Sequence, residues 1–497
     1  MHATVDPVFH GSWCLSNWKT RTRICQLRMH DEGRFSSPIE SARVCTDSWR
    51  QRWHAIAGTS PSSFSRQEFW KLNQYVNDSR GLIAFVGNMN NTFFALVRHL
   101  RDRGHDAWLL RVPREQAHFS PSADSLDEEY QHYTRLLSWG AKGRPARVSA
   151  ERIKSDLAPY DHIVGCGAVP AFVHKAGIRL DIFIPYGDDI YLLPFPSFRS
   201  LRKARKSLSR QALWLLQRNG IQESKWIQQT NNFSGERRKR LDQLKIDQRI
   251  FYSPVPVVYD YFSDLGMGHP IWKSPLLQRI RDLRNRTDFL ILHHNRHIWT
   301  NRSDWFSRKG NDVFLRGYAQ FCKLHSGPRP PIAMILEYGD EVAESKRLIS
   351  ELEIADRVVW LPQTERRLLL LVLSMADVGI GQFYKGNYLN GVVHEVLASG
   401  KPLIHHYHHD RHFNTGFLKY PYIEADNPEA VARGLADLSH NPNKGRDLGE
   451  EAKRWYKKHV VERALEEYET RLGLKHDHLP RRRTASGNVD RVIASGS

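Results

Sequence analysis

Glu395 stands in "NGVVHEVLASGKPLI" (390–404), where Asn390 and Gly391 turn the chain into an apolar helix and a buried-type strand follows. A carboxylate accepts two hydrogen bonds at once, so a Glu in the first turn of such a helix can hold a vicinal diol. The same place also suits a charge that merely complements the helix dipole. The turn at Asn390 and Gly391 offers the amides of a helix N-terminus, where an anion binds. Lys309 precedes Gly310 in "SRKGND" at the entry to another helix, so an ammonium and free amides converge as a phosphate requires. Arg296, just after the strand "FLILHHN", reaches the same mouth from the neighbouring turn.

A second set of candidates lies earlier in the chain. Gly87, Asn88 and Asn90 end the first apolar strand in "GNMNN", and Asp188 and Asp189 end another in "PYGDD". Either Asp can bind hydroxyls or assist a deprotonation, and either can simply cap a turn. His408 and His412 in "HHYHHDRH" have i, i+4 spacing, but they follow a strand rather than sit on a helix, so no metal is assigned.

These residues need a scaffold that gathers strand ends. "LIAFV", a Gly-Asn turn, the helix "TFFALVRHLRDRG" and the strand "AWLLRV" form a β-α-β unit, which forces a parallel sheet. "YDHIVGCG" and "LDIFIPYGDD" continue the alternation. A second run begins at "TDFLILHHNR" and proceeds through "PIAMILEYGD", "DRVVWLP", "DVGIGQF" and "KPLIHHY", each separated by a helical segment. The fold expected is α/β with two Rossmann-like domains facing across a crevice, where ligands bind at strand ends. Residues 1–78 form an irregular extension, 79–270 the first domain, 285–425 the second, 426–475 terminal helices and 476–497 a disordered tail, with the boundary between 265 and 287.

At 497 residues the chain exceeds what one core serves, and its net charge of +19 calls for an anionic partner: nucleic acid, acidic lipid or a phosphate-bearing substrate. Five scattered cysteines without a C-x-x-C pair argue against disulfides and thiolate zinc. Neither a signal peptide nor an apolar run of the roughly 20 residues that span a bilayer is found. The expected location is the cytoplasm, with any membrane contact peripheral and on the inner face. Residues 199–220 form a basic helix with an apolar end, "ALWLLQ", which either lies on an anionic membrane or covers the core.

"RKGNDVFLRGYAQF", "ADRVVWLP", "LLLLVLSMADVGIG" and "HEVLASGKPLI", in this order over 289–410, resemble the donor-binding domain of retaining GT-B glycosyltransferases, notably glycosyltransferase family four. "LIAFVGNMNN" with the helix after it resembles the first unit of the same fold's acceptor domain. The resemblance implies transfer of a sugar from a nucleoside-diphosphate sugar to a glycan or lipid-linked acceptor in polysaccharide or glycolipid synthesis, with no cofactor and no metal. It places Arg296 and Lys309 at the diphosphate, with Arg302 and Arg308 as rivals for the Arg role, and Glu395 on the ribose. The family's first Glu, on the donor sugar, falls at Asn387, whose amide hydrogen-bonds a hydroxyl without carrying charge.

Two other readings remain. One is a nucleotide-sugar epimerase on the same fold, and the other an inactive polyanion-binding relative. Nucleic acid is the least supported partner, because no recognised motif accompanies the basic residues.

Overall fold

The computed structural model describes residues 81–140, 145–195, 204–230, 235–260, 262, 265–266, 268–300, 308–384, 389–407 and 418–474, with backbone alone over 204–211. The extension over 1–78, the tail over 476–497, Arg302, Asn387, His408, His412 and the basic side chains between 199 and 210 lie outside the described residues. The described residues belong to one compact unit, Ser63–Ser497.

The first lobe runs β1 (Ile83–Val86), α1 (Thr92–Asp102), β2 (Ala107–Arg111), β3 (Thr134–Leu136), α2 (Ala150–Leu157), β4 (His162–Cys166), α3 (Val169–Lys175), β5 (Ile182–Ile184), α4 (Asp188–Tyr191), α5 (Ala204–Glu223), β6 (Trp226–Gln229), α6 (Glu236–Leu244) and β7 (Ile250–Tyr252). Its strands form one parallel sheet in the order β3-β2-β1-β4-β5-β6-β7. The second lobe runs α7 (Pro275–Arg284), β8 (Leu290–His293), α8 (Asn311–Leu324), β9 (Ile332–Glu337), α9 (Val342–Glu351), β10 (Val358–Pro362), α10 (Arg366–Met375), β11 (Val378–Ile380), α11 (Gly391–Ala398), β12 (Leu403–His405) and β13 (Ile423–Glu424). Its parallel sheet has the order β10-β9-β8-β11-β12-β13. The helices α12 (Pro428–His440), α13 (Pro442–Tyr456) and α14 (Arg463–Leu472) follow.

The apolar spacing explains the layers. Phe93, Phe94, Val97 and Leu100 of α1 are fully buried with Phe85 of β1, each burial being worth roughly 1.5–3 kcal/mol. One core joins the inner faces of both sheets to the last helices, while separate cores fill the outer face of each sheet. Helix α7 precedes the range expected for the second domain, yet it packs on α10, and Arg284 pairs with Asp377. The strands β3, β6, β7 and β13 add to those expected from the sequence, and all but β6 stand at a sheet edge.

The last helices return to the first lobe. Arg103 and His105 bind Glu469 at 2.7 and 2.8 Å, and Tyr468 donates to Gln228 Oε1. The Tyr456 hydroxyl accepts from the amides of Val257 and Val258 and meets His394 Nδ1 at 3.1 Å, so one phenol ties the segment after β7 to α11. Where its side chains are described, α5 packs Leu213 and Gln217 into the first lobe, and Gly220 lies against the Pro170 carbonyl of α3. The apolar end of this helix therefore covers the core, although Leu215 remains 47% exposed.

Candidate functional site

The C-terminal end of β1 meets the loops after β10 and β11. Asn90 and Asn91 both have left-handed φ, 55° and 56°, a conformation Asn tolerates better than most side chains, and this throws the Asn90 carbonyl outward. Asn390 caps α11 by accepting from the Val393 amide at 3.3 Å. Gly379 of β11 has no room for a side chain against Val396, so α11 seats directly on the sheet and turns Glu395 toward the strand ends.

Helix α11 begins at Gly391, which puts Glu395 in the second turn rather than the first, beyond the reach of a helix-end dipole effect. Glu395 is buried, with Oε1 accepting from Arg366 Nε at 2.9 Å and Oε2 facing His294 Nε2 at 3.1 Å. Burial by itself would raise this carboxyl, but the His294 hydrogen bond and the Arg366 charge outweigh it and hold it at about 2. The group is therefore an ionised acceptor at neutral pH.

Arg366 opens α10 and bonds to both lobes. Besides Glu395 it donates to the Asn90 carbonyl at 3.0 Å, to Asn90 Oδ1 at 2.9 Å and to Asp124 Oδ2 at 3.4 Å. Asp124 in turn lies 3.7 Å from Arg98, and Arg367 reaches the Ser125 carbonyl. Sequence reading overlooked Arg366, His294 and Asp124. The available signal was "ERR" at a helix start, since cations there oppose the helix dipole and call for an outside anion.

Lys309 and Gly310 lie by the loop that follows β11, a central strand of the second sheet. Gly310 is the N-cap of α8 at φ 72°, pressed on the Phe383–Tyr384 backbone where a Cβ would come within 3.2 Å. Lys309 Nζ donates to Gln382 Oε1 at 3.0 Å in the loop after β11. Arg308 lies over the Tyr384 ring at 4.2 Å, while Arg296 is exposed beyond β8 beside the turn at Gly339. The lysine, the α8 start and the loop leading to α11 thus share the C-terminal ends of β8 and β11.

The first-lobe candidates divide. Asn90 joins the Arg366 cluster, and its amide lies 3.8 Å from where a Gly391 Cβ would stand. Asn88 is consumed internally: its side chain binds Asn91, the Phe119 carbonyl and the Phe94 amide. Gly87, at φ 92°, packs on Cys166 Sγ. Asp189 is buried and accepts from the amides of Tyr186, Gly187 and Gly167, a turn-capping arrangement, and burial pushes it up to about 6. Asp188 is exposed at the start of α4. None of the contacts among the described residues joins Asp188 or Asp189 to Glu395.

Glu115 supplies a pH signature beside this loop. It accepts from the Asn88 amide at 2.6 Å, and burial pushes it up to about 7. Between the ordinary glutamate range and pH 7 the folded state holds a proton that the unfolded state has lost, so stability falls as pH rises through that window. Glu115→Gln is expected to flatten the urea-midpoint profile between pH 4.5 and 7; an unchanged slope would contradict the assignment.

Among the described residues no group of three His, Cys, Asp or Glu is arranged to hold a metal, and no helix is long and apolar enough to cross a membrane.

Two parallel Rossmann-like sheets, of seven and six strands, with the last helices returning to the first lobe, have the layout expected of a GT-B fold. No protein-family model matches the chain, and no curated protein matches it. Solved structures similar to it include Anabaena Alr3699/HepE in complex with UDP-glucose, at 14% identity over 78% of this chain and 99% of that one, with a TM-score of 0.48. A sucrose-phosphate synthase from Thermosynechococcus elongatus aligns at 13% identity over 79% and 98%, with a TM-score of 0.46. WaaG, a glycosyltransferase involved in lipopolysaccharide biosynthesis, aligns at 14% identity over 78% and 99%, with a TM-score of 0.43.

Proposed function

We propose that this chain is a glycosyltransferase of the hexosyl type that moves a sugar from a nucleoside-diphosphate sugar to a glycan or lipid-linked acceptor, with retention at the anomeric carbon. The observation that carries the reading is Glu395: an ionised, buried carboxylate at the strand ends of the second lobe, on the helix whose N-terminus carries Asn390 and Gly391. A carboxylate so placed suits a ribose diol. In this reading the helix-terminal amides, Lys309 and Arg296 take the diphosphate, Asn387 meets the sugar, and the loop of Gly87, Asn88 and Asn90 with Asp188 and Asp189 borders the acceptor.

The chemistry asked of these groups is electrostatic. As the bond from the anomeric carbon to the diphosphate breaks, negative charge grows on the departing phosphate, where fixed cations and amides stabilise it. No enzyme nucleophile and no bound metal is required. In this reading the product is a cell-surface polysaccharide or glycolipid made on the cytoplasmic side, with the basic helix near 199–220 meeting an anionic surface.

Calorimetric titration of UDP, GDP and ADP into the protein and into Glu395→Gln tests the reading. One nucleotide is expected to bind selectively and to lose about tenfold in affinity in the variant, as loss of a charge-assisted hydrogen bond dictates. Equal binding by Arg366→Met with Glu395 intact and by Arg366→Met carrying Glu395→Gln, a background in which the Arg366 contact is absent from both, would remove Glu395 from the ribose. Conversion of a free nucleotide-sugar to its epimer without acceptor would replace transfer by epimerisation.

A further inference from the structure

Both oxygens of Glu395 are already engaged, and the side chain is only 9% exposed. A ribose diol needs both oxygens and a path to them. The group in the way is Arg366, whose guanidinium belongs to the second lobe through Glu395 and to the first through Asn90 and Asp124. Asn90 also stands against Gly391, over the start of the helix that would face the diphosphate. Two buried polar atoms, Asp124 Oδ1 and Asn390 Nδ2, border this cluster and have no hydrogen-bond partner among the described residues.

We infer that Arg366 is an inter-lobe clasp that closes the crevice over Glu395 and must be displaced before a nucleotide can seat its ribose. The inference rests on the reading of Glu395 as the ribose acceptor. A closed form that cannot bind lowers the measured affinity by the fraction of molecules that are open. Releasing the clasp therefore strengthens nucleotide binding, which is opposite to what loss of a donor ligand or of a supporting residue would do. Asn90 provides an independent release: at φ 55° glycine adopts its backbone freely, so Asn90→Gly removes the Oδ1 contact and leaves the Arg366–Glu395 pair in place.

Two measurements on the full chain, Arg366→Met and Asn90→Gly decide the matter, with circular dichroism confirming that each variant is folded. Without nucleotide, amide hydrogen exchange across 88–92 and 391–396 is expected to rise in both variants, more in Arg366→Met. In calorimetry the nucleotide that binds the parent is expected to bind Arg366→Met about tenfold tighter, with a smaller gain for Asn90→Gly. Unchanged exchange, or weaker nucleotide binding in Arg366→Met, would overturn the clasp. If UDP, GDP and ADP fail with every protein, the donor reading falls, and the exchange result alone upholds or removes the closing contact. Should Arg366→Met not fold, Asn90→Gly carries both tests.

Discussion

Glu395→Ala is expected to lower the free energy of unfolding by about 3–5 kcal/mol, the usual cost of leaving a buried charge without its partner. Arg366 would lose Nε–H···Oε1 at 2.9 Å, and His294 its contact at 3.1 Å, in surroundings that water barely reaches. Arg366 retains Asn90 and Asp124, which places the effect toward the lower end of that range. The pH dependence adds a second check. Because the folded carboxyl is held at about 2, it contributes stability that is complete above the unfolded glutamate range and disappears as pH falls toward 2. The parent should therefore lose stability across that acid window more steeply than the variant. Urea denaturation at several pH values measures both quantities; a loss below about 1 kcal/mol at neutral pH would mean that the pair is solvated, not buried.

Lys309→Met should weaken binding of the selected nucleoside diphosphate by about tenfold to a hundredfold, the equivalent of one charge-assisted contact worth about 1.5–3 kcal/mol. The parent nucleoside, lacking phosphates, should bind both proteins equally. The expectation follows from position: Gly310 closes the turn onto Phe383, and Lys309 Nζ reaches Gln382 Oε1 in the loop after β11. A variant that loses nucleoside and nucleotide affinity alike would show that Lys309 supports the loop after β11 instead of the phosphates. Methionine keeps the length of the stem and its packing, so the comparison isolates the charge.

The alternation of apolar strands and amphipathic helices was legible because parallel strands buried on both faces leave continuous apolar runs. "LIAFV", "FLILHH" and "PIAMILE" all became strands for that reason. The placement of Lys309 and Gly310 before a helix was equally visible, since a glycine at left-handed φ marks a helix entry as well as an exit. The site was less legible. Asn88 and Asp189 have the residue types of a binding loop, yet their polar atoms satisfy the chain itself. Conversely, Arg366 and His294 belong to no motif and were passed over, although they decide the state of Glu395.

By itself the sequence determined two parallel sheets, the helices between them, and the cationic and carboxylate groups that stand at their strand ends. Those properties follow from local spacing and from the burial of apolar side chains, both written along the chain. Only the tertiary structure decided which groups meet: Asn90 and Asp124 lie more than two hundred residues from Arg366, and Tyr456 about two hundred from Val257. A charged hydrogen bond depends on a few ångströms of separation and on exclusion of water, and neither exists until the two lobes and the returning helices are packed together.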